Sequence, residues 1–445
     1  MRGRAQRGRP RRNGRSGTGG NASAPRRSSP MRVGRGGLTG SAGLFGPAAR
    51  FCRVLVADPP RPADVTTSFP YVPALDGLRG LLVFPVLLFH FSIIGGFSGN
   101  GIAPGSYFAP SMFFTLSGFL ITSLLLIERN KSGGVDWTAF WRRRFRRLVP
   151  ASVAVIFAAA VVPLVWSNAW GRLPASNALA ALLSFKNWQD IHYASSGTQG
   201  LRTLGPLSPY WSLSIEEQFY LGMSIVIGLC MLTAQWRRWL TVAFAVLGTA
   251  SVAALVMVQG STPNRELFGT DIRASELVAG CLLAVAVQRY GWPSKWWWGL
   301  VGFASLAVTF VLWGWVTEHD AWVLNGGLAA VSLLNVGMIL GAGARGSAFA
   351  TAMSFRPLVE IGKLSYPLYL VHWPIALATQ PVHTGMSGWP LMALRFVLSM
   401  VVAWPLAQYV EAPIRRQRVL KGWRFGAAWG ATGALILVIC ALAGD

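Results

Sequence analysis

Apolar residues in this chain do not come as short alternations. They come in blocks of roughly twenty, at about 75–94, 107–127, 150–166, 211–232, 239–258, 272–287, 297–315, 322–341, 365–380, 391–410 and 425–442, separated by polar clusters. Blocks of this length match the ~20 residues a helix needs to cross a bilayer. The sixth is short and the ninth carries Pro367 and Pro374, so both are expected to be broken or kinked. The pattern predicts an all-α fold, a polytopic membrane bundle of about 10–11 transmembrane helices. It divides the chain into a polar tail over 1–68, a membrane domain over 69–416 and an additional C-terminal helix over 417–445.

The polar clusters carry a second pattern. Basic residues collect in the tail, at Arg142–Arg147, Arg237–Arg238, Arg289–Lys295, Arg345–Lys363 and Arg415–Arg424, whereas 95–106, 167–210, 259–271, 316–321 and 381–390 hold few. Such alternation follows the positive-inside rule. It predicts a multi-pass protein of the cell membrane with a cytoplasmic N-terminus and an extracytoplasmic C-terminus.

Composition agrees: 53% of the 445 residues are hydrophobic and 13% charged. The formal charge of +24 resembles a nucleic-acid signature, but half of it comes from twelve Arg within residues 1–50, a Gly/Ser/Pro-rich segment without Lys or acid that cannot bury a core. This segment reads as a disordered cytoplasmic tail. It could touch anionic headgroups, at on the order of 1 kcal/mol per Arg near the surface. RNA binding is the weaker reading, because no aromatic precedes Phe45 to stack on bases. A solvated, orientation-setting tail, or a start codon placed upstream of Met31, explains it equally. No apolar core of a cleavable leader stands in the first 40 residues. The four Cys, at 52, 230, 281 and 440, show no metal or redox spacing, and no metal site is expected.

Ionisable residues inside the apolar blocks mark candidate chemistry, because their cost in lipid keeps them facing a bundle interior. Arg79 and His90 are eleven residues apart, almost three whole turns, so both lie on one stripe about 16 Å apart, joined by Asp76 at i, i+3. Ser117 and Gly118 suit close helix packing. Arg144 and Arg147 share one face at i, i+3, and a forked guanidinium pair suits phosphate. Glu216 and Glu217 point about 100° apart, so one at most faces a shared cavity. Asp271, Arg273 and Glu276 open the sixth block, and His372 lies in the ninth. The aromatic residues Trp166, Trp170, Trp188, Tyr193 and Tyr210 along 167–210 form either an interface belt or a platform for a sugar-like acceptor.

Six ordered elements together resemble the acyltransferase-3 family of integral membrane acyltransferases. They are Leu75-Asp76-Gly77-Leu78-Arg79-Gly80 with His90 at Arg-x10-His spacing, Phe113-Phe114-Thr115-Leu116-Ser117-Gly118-Phe119-Leu120, Arg144-x-x-Arg147 before Pro150-Ala151, Trp211-Ser212 through Glu216-Glu217 to Tyr220, Ser365-Tyr366 through Tyr369 to His372-Trp373-Pro374, and Glu411-Ala412-Pro413. The resemblance implies transfer of an acyl group, commonly acetyl, from cytoplasmic acyl-CoA to a hydroxyl of an exported carbohydrate or glycolipid. It implies a donor site at Arg79, His90, Arg144 and Arg147, with no permanently bound cofactor. The substrate-binding set expected around it adds Asp76, Ser117, Trp211, Ser212, Asp271, Arg273, Tyr369 and His372. Many relatives with an eleventh helix continue into an SGNH-type domain, whose Gly-Asp-Ser nucleophile motif is not found here, so a separate extracytoplasmic transferase is one expected partner.

The chemistry is consistent with these residues. A sugar hydroxyl attacking a thioester needs a base near neutral pKa, the role of His90. His90 takes the proton directly or is itself acylated, and Glu217 or Glu216 is expected to orient it or hold the acceptor. The rival class is a secondary transporter, since intramembrane charges also build proton relays. Against it, the Pro-rich ninth block has no counterpart in the first half of the chain.

Overall fold

A computed structural model of the chain describes residues 71–97, 102–196, 205–317, 320 and 322–443. The basic tail lies outside the described residues. Eleven long α-helices organise the rest: α1 (Pro73–Ile93), α2 (Ala109–Ser132), α3 (Trp137–Val165), α4 (Tyr210–Met231), α5 (Trp236–Met257), α6 (Thr270–Tyr290), α7 (Trp298–Trp315), α8 (Leu328–Gly343), α9 (Arg356–Ala378), α10 (Gly388–Pro405) and α11 (Arg424–Ala443). No strand occurs among the described residues. Nine of the helices are long and apolar enough to cross a membrane by length and composition. The other two, α6 and α9, carry charges along their length. The chain is an all-α, polytopic membrane bundle.

Local sequence explains where the helices start and stop. Pro73 takes the first turn of α1, where its missing N–H costs nothing, and Asp76 sits at the positive end of the helix dipole. Asp136 caps α3 by accepting the Ala139 N–H at 2.8 Å. The α2 and α6 helices end at Gly133 (φ 74°) and Gly291 (φ 79°), in conformations that only glycine adopts without strain.

Two expectations are corrected. The sixth block is a full 21-residue helix, because Thr270 and Asp271 extend it at one end and Gln288, Arg289 and Tyr290 at the other. The ninth is one helix of 23 residues that runs through both prolines and starts at Arg356, well before the apolar block. Irregularity sits elsewhere. A wide turn with Gly326 at φ 97° precedes α8, and a π-helical stretch over Leu406–Glu411 follows α10.

The core is built on two very close helix pairs, α1 with α9 and α2 with α6. In each, glycines allow backbone to meet backbone. In the first pair a Cβ at Gly80 would strike the carbonyl of Leu358 and one at Gly362 that of Asp76, while one at Gly77 would strike that of Met353, the last residue of the short helix Ala348–Met353 before α9. In the second pair the clash is reciprocal: Gly118 would meet the Leu277 carbonyl and Gly280 that of Thr115. The expectation for Gly118 therefore holds, whereas its neighbour Ser117 faces inward and donates to Glu216 Oε1 at 3.1 Å.

The 167–210 segment is not a simple external loop. It forms two short helices, Ala175–Leu182 and Lys186–Ser195, joined by a turn that reaches down beside α4. Gln218 Nε2 donates to Ser184 O at 2.7 Å, and Gln218 lies eight residues, about 12 Å, along α4 from Tyr210. Lys186 and Asp190 form an ion pair there, both buried, and Asn187 donates to Phe268 O and Thr270 Oγ1, each at 3.0 Å. The indole of Trp188 is held by Gln218 Oε1 at 3.0 Å, so it serves as structure rather than as a free stacking surface.

The glycine contacts predict a sharp contrast. Gly80→Val should abolish recovery of monodisperse protein or lower its unfolding midpoint strongly, since overpacking against an immobile backbone typically costs 1–3 kcal/mol or more. Gly430→Ala on α11, where a Cβ meets nothing within 4 Å, should change the midpoint little. Thermal unfolding in detergent compares the two, and an unaffected Gly80→Val protein would refute the contact.

Candidate active site

The close approach of α1 and α9 brings together the two histidines the sequence placed far apart. His372 is fully buried, and its Nε2 lies 2.9 Å from Nδ1 of half-buried His90. The other ring nitrogen of His372, Nδ1, lies 2.6 Å from the carbonyl of Tyr369. A carbonyl only accepts, so His372 Nδ1 carries the proton, and in the neutral ring Nε2 is the acceptor. His90 Nδ1–H therefore donates to it. This leaves the Nε2 lone pair of His90 free to take a proton. Trp373 closes one side, edge-on to His90 with centroids 5.4 Å apart.

One turn from this pair toward the other end of the bundle lies a cavity of about 120 Å³. Val86, four residues before His90, and Tyr369, three before His372, line it. So do Arg79, Arg144 and Arg147, with Ser117, Ser212, Glu216, Tyr220 and Tyr366. Three guanidiniums thus face one small space, but their situations differ. Arg144 is already engaged: its Nη2 and Nε donate to the two oxygens of Glu217 at 3.0 and 3.3 Å, and its Cζ sits 3.2 Å from the centre of the Tyr220 ring. Among the described residues Arg79 is held by Asp76 alone, at 3.6 Å, and that carboxylate also accepts from Tyr71 OH at 3.1 Å. No carboxylate partner of Arg147 is found among the described residues. An entering anion therefore meets Arg79 and Arg147 as available donors, with Arg144 held in the wall behind them.

This geometry revises several roles expected from sequence. Neither glutamate bonds to His90, and His372 is its orienting partner instead. Glu216 lines the cavity, accepting from Ser117 and from Tyr220 OH at 3.2 Å, while Glu217 is the counter-ion of Arg144. Arg144 and Arg147 do not form a matched fork. Asp76 faces Arg79 rather than the cavity. Ser212 is placed as expected, its hydroxyl 2.6 Å from that of Tyr369, and Tyr369 OH donates to Pro209 O at 3.0 Å.

Three further expected residues stand apart from the cavity lining. Asp271 is exposed and pairs with Arg265 at 2.6 Å. Arg273 is buried in an ion pair with Glu276 at 3.2 Å, its guanidinium 5.3 Å from the Phe114 ring, so it supports a cavity residue from behind. Trp211 stacks on Phe268 with centroids 4.4 Å apart. Conversely, Tyr220 and Tyr366 belong to the lining although sequence assigned them no role. Tyr220 stands at i+4 from Glu216, a spacing that reveals it once the helix is known.

The ion pair in the cavity wall yields a prediction. Glu217→Ala should destabilise the protein by about 1.5–3 kcal/mol, the range for a hydrogen bond to a charged group, because it strands Arg144. In an Arg144→Gln/Glu217→Gln cycle measured by unfolding in detergent, the double variant should lose less than the sum of the singles. Strict additivity would show that the pair carries no coupling.

Comparison with known proteins gives the family. An acyltransferase-domain family model, that of the acyltransferase-3 family, matches residues 72–408. The chain is 32% identical over 382 residues to the peptidoglycan O-acetyltransferase OatA of Listeria monocytogenes, covering 78% of this chain and 56% of that protein. It is 30% identical over 371 residues to the O-acetyltransferase OatA of Staphylococcus aureus, covering 78% of this chain and 58% of that protein. The chain thus spans little more than half the length of the curated relatives it matches. No solved structure matches it. The family model takes in most of the chain and includes Arg79, His90, both glutamates, Tyr369 and His372, and on that ground the chain belongs to the acyltransferase-3 family.

Proposed function

We propose that this protein transfers an acyl group, acetyl in the simplest case, from acyl-CoA supplied at the cytoplasmic face to a hydroxyl of a cell-envelope carbohydrate. The observation that carries the reading is a small cavity lined by two available guanidiniums, with a His–His pair one turn beyond it. The phosphates of acyl-CoA bind Arg79 and Arg147 by charge-assisted hydrogen bonds. The thioester then points toward Val86 and Tyr369, one turn short of His90. The acceptor hydroxyl comes from the other side, beneath the 205–209 turn that is tied to α9 by Trp373 Nε1–H···O Gly205 at 3.0 Å.

His90 Nε2 removes the hydroxyl proton as the oxygen attacks the thioester carbon. The C–S bond then breaks, and the departing thiolate takes the proton from His90. His372 contributes by accepting from His90 Nδ1, which fixes the tautomer and stabilises the imidazolium that forms. The peptidoglycan acceptors named for the Listeria relative support a polymeric or lipid-linked envelope saccharide as acceptor. The distribution of basic loops supports a cytoplasmic N-terminus and an extracytoplasmic C-terminus. A separate extracytoplasmic partner that relays the acyl group fits the same scheme.

Three variants test the assignment with acetyl-CoA and soluble peptidoglycan fragments. His90→Ala should lower transfer by ~10²–10⁴-fold while acetyl-CoA still binds. Arg147→Gln should raise the apparent KM for acetyl-CoA with kcat largely kept. His372→Phe should reduce kcat less than His90→Ala does. Wild-type protein that never binds acetyl-CoA, or His90→Ala protein that transfers at the normal rate, would overturn the mechanism. Separately, tags at the two termini should be accessible from opposite sides in intact cells, and a cytoplasmic location for both would refute the proposed topology.

A further inference from the structure

We infer that Arg395 of α10 is a positioning residue for the His90–His372 pair, clamping the ends of the two helices that carry it. The inference rests on the acyl-transfer reading above. Arg395 is fully buried and has no carboxylate partner among the described residues. Its guanidinium is satisfied by main chain instead. Nη1 donates to Phe91 O at 2.7 Å, and Nη2 reaches Ile94 O, Ala376 O and Thr379 O at 3.2, 3.1 and 3.1 Å. Nε donates to Thr379 Oγ1 at 3.2 Å.

Each of those carbonyls belongs to the C-terminal end of α1 or α9. The last carbonyls of a helix have no partner within it and carry the negative end of its dipole, so one cation here satisfies two helix ends at once. His90 immediately precedes Phe91, and His372 stands four residues before Ala376. The Phe91 ring fills the space between clamp and pair, with its centroid 6.1 Å from that of His372 and 6.0 Å from Arg395 Cζ. The same seam is closed by Gly388 N–H donating to Gly95 O at 3.0 Å. The 2.9 Å contact between the imidazoles joins α1 to α9 near these ends, so it depends on how the ends are held. A lysine keeps the charge but lacks the planar fork that reaches both helices.

The test separates positioning from bulk stability. Arg395→Lys, Arg395→Met and the milder Thr379→Val are purified in detergent, alongside wild type and His90→Ala. For each, the folded fraction, acetyl-CoA affinity, and kcat and KM for transfer to peptidoglycan fragments are measured per folded molecule. Misplacing a reacting group by about 1 Å is enough to cost up to 10²-fold. Arg395→Lys should therefore lose kcat by 10- to 100-fold, with acetyl-CoA affinity and KM within twofold of wild type. Thr379→Val should lose a smaller factor, again in kcat alone. If Arg395→Met does not fold, Thr379→Val and Arg395→Lys still decide the matter. Wild-type kcat in folded Arg395→Lys and Thr379→Val, while His90→Ala is inactive, would overturn the clamp and leave the acyl-transfer reading standing. An active His90→Ala would overturn that reading and the clamp with it.

Discussion

The site depends on one steric fact: α1 and α9 touch backbone to backbone at Gly80 and Gly362. That contact fixes the register in which the two imidazoles share a hydrogen bond. The same contact places Arg79 against the Asp76 end of the seam and leaves the cavity between α1, α2, α3, α4 and α9 as the space that the close pairs do not fill. Lipid offers no hydrophobic drive to bring helices together, so glycine packing and buried polar bonds supply the association. The second glycine pair, α2 with α6, buttresses the opposite wall and holds Ser117 toward Glu216.

The charge distribution inside the bundle is graded by how firmly each group is already held. Arg395 is saturated by helix ends, Arg273 is paired with Glu276, Arg144 is paired and stacked, Arg79 is loosely paired, and Arg147 has no ion-paired carboxylate among the described residues. An unpaired cation in a low-dielectric space is expensive, and its cost is relieved by a ligand of opposite sign. The least satisfied cations, Arg79 and Arg147, lie in the half of the bundle that carries the basic loops. A gradient of this kind favours entry of an anion from that end and discourages its passage deeper.

Much of this architecture could be read from the chain. The eleven apolar blocks anticipate the eleven long helices, and the Arg79–His90 stripe anticipates Arg79 in the cavity wall. Helix ends were misread where charge extends a helix, as at Arg356–Lys363, because a hydropathy pattern registers only the apolar stretch. The exchange of partners between the two glutamates and Arg144 was not legible, since adjacency in sequence says nothing of which carboxylate a distant guanidinium will reach. The His90–His372 bond needed the glycine contact, a property of two segments nearly three hundred residues apart. Arg395 did leave a signal: a lone arginine within an apolar block is costly in lipid and announces a buried partner, here carbonyls rather than an acid.

The relay that sets the tautomer of His90 ends on the carbonyl of Tyr369, a main-chain atom. A hydrolase-like triad normally has a third residue that can be recognised by its type and removed by substitution. Here the third member has no side chain, so it is inherited with the helix and no point mutation deletes it. Among the described residues no carboxylate stands behind the histidines, and in the proposed mechanism the Tyr369 carbonyl takes that place. Only distortion of α9 itself, for instance through the prolines that flank this turn, can turn the ring and move the proton.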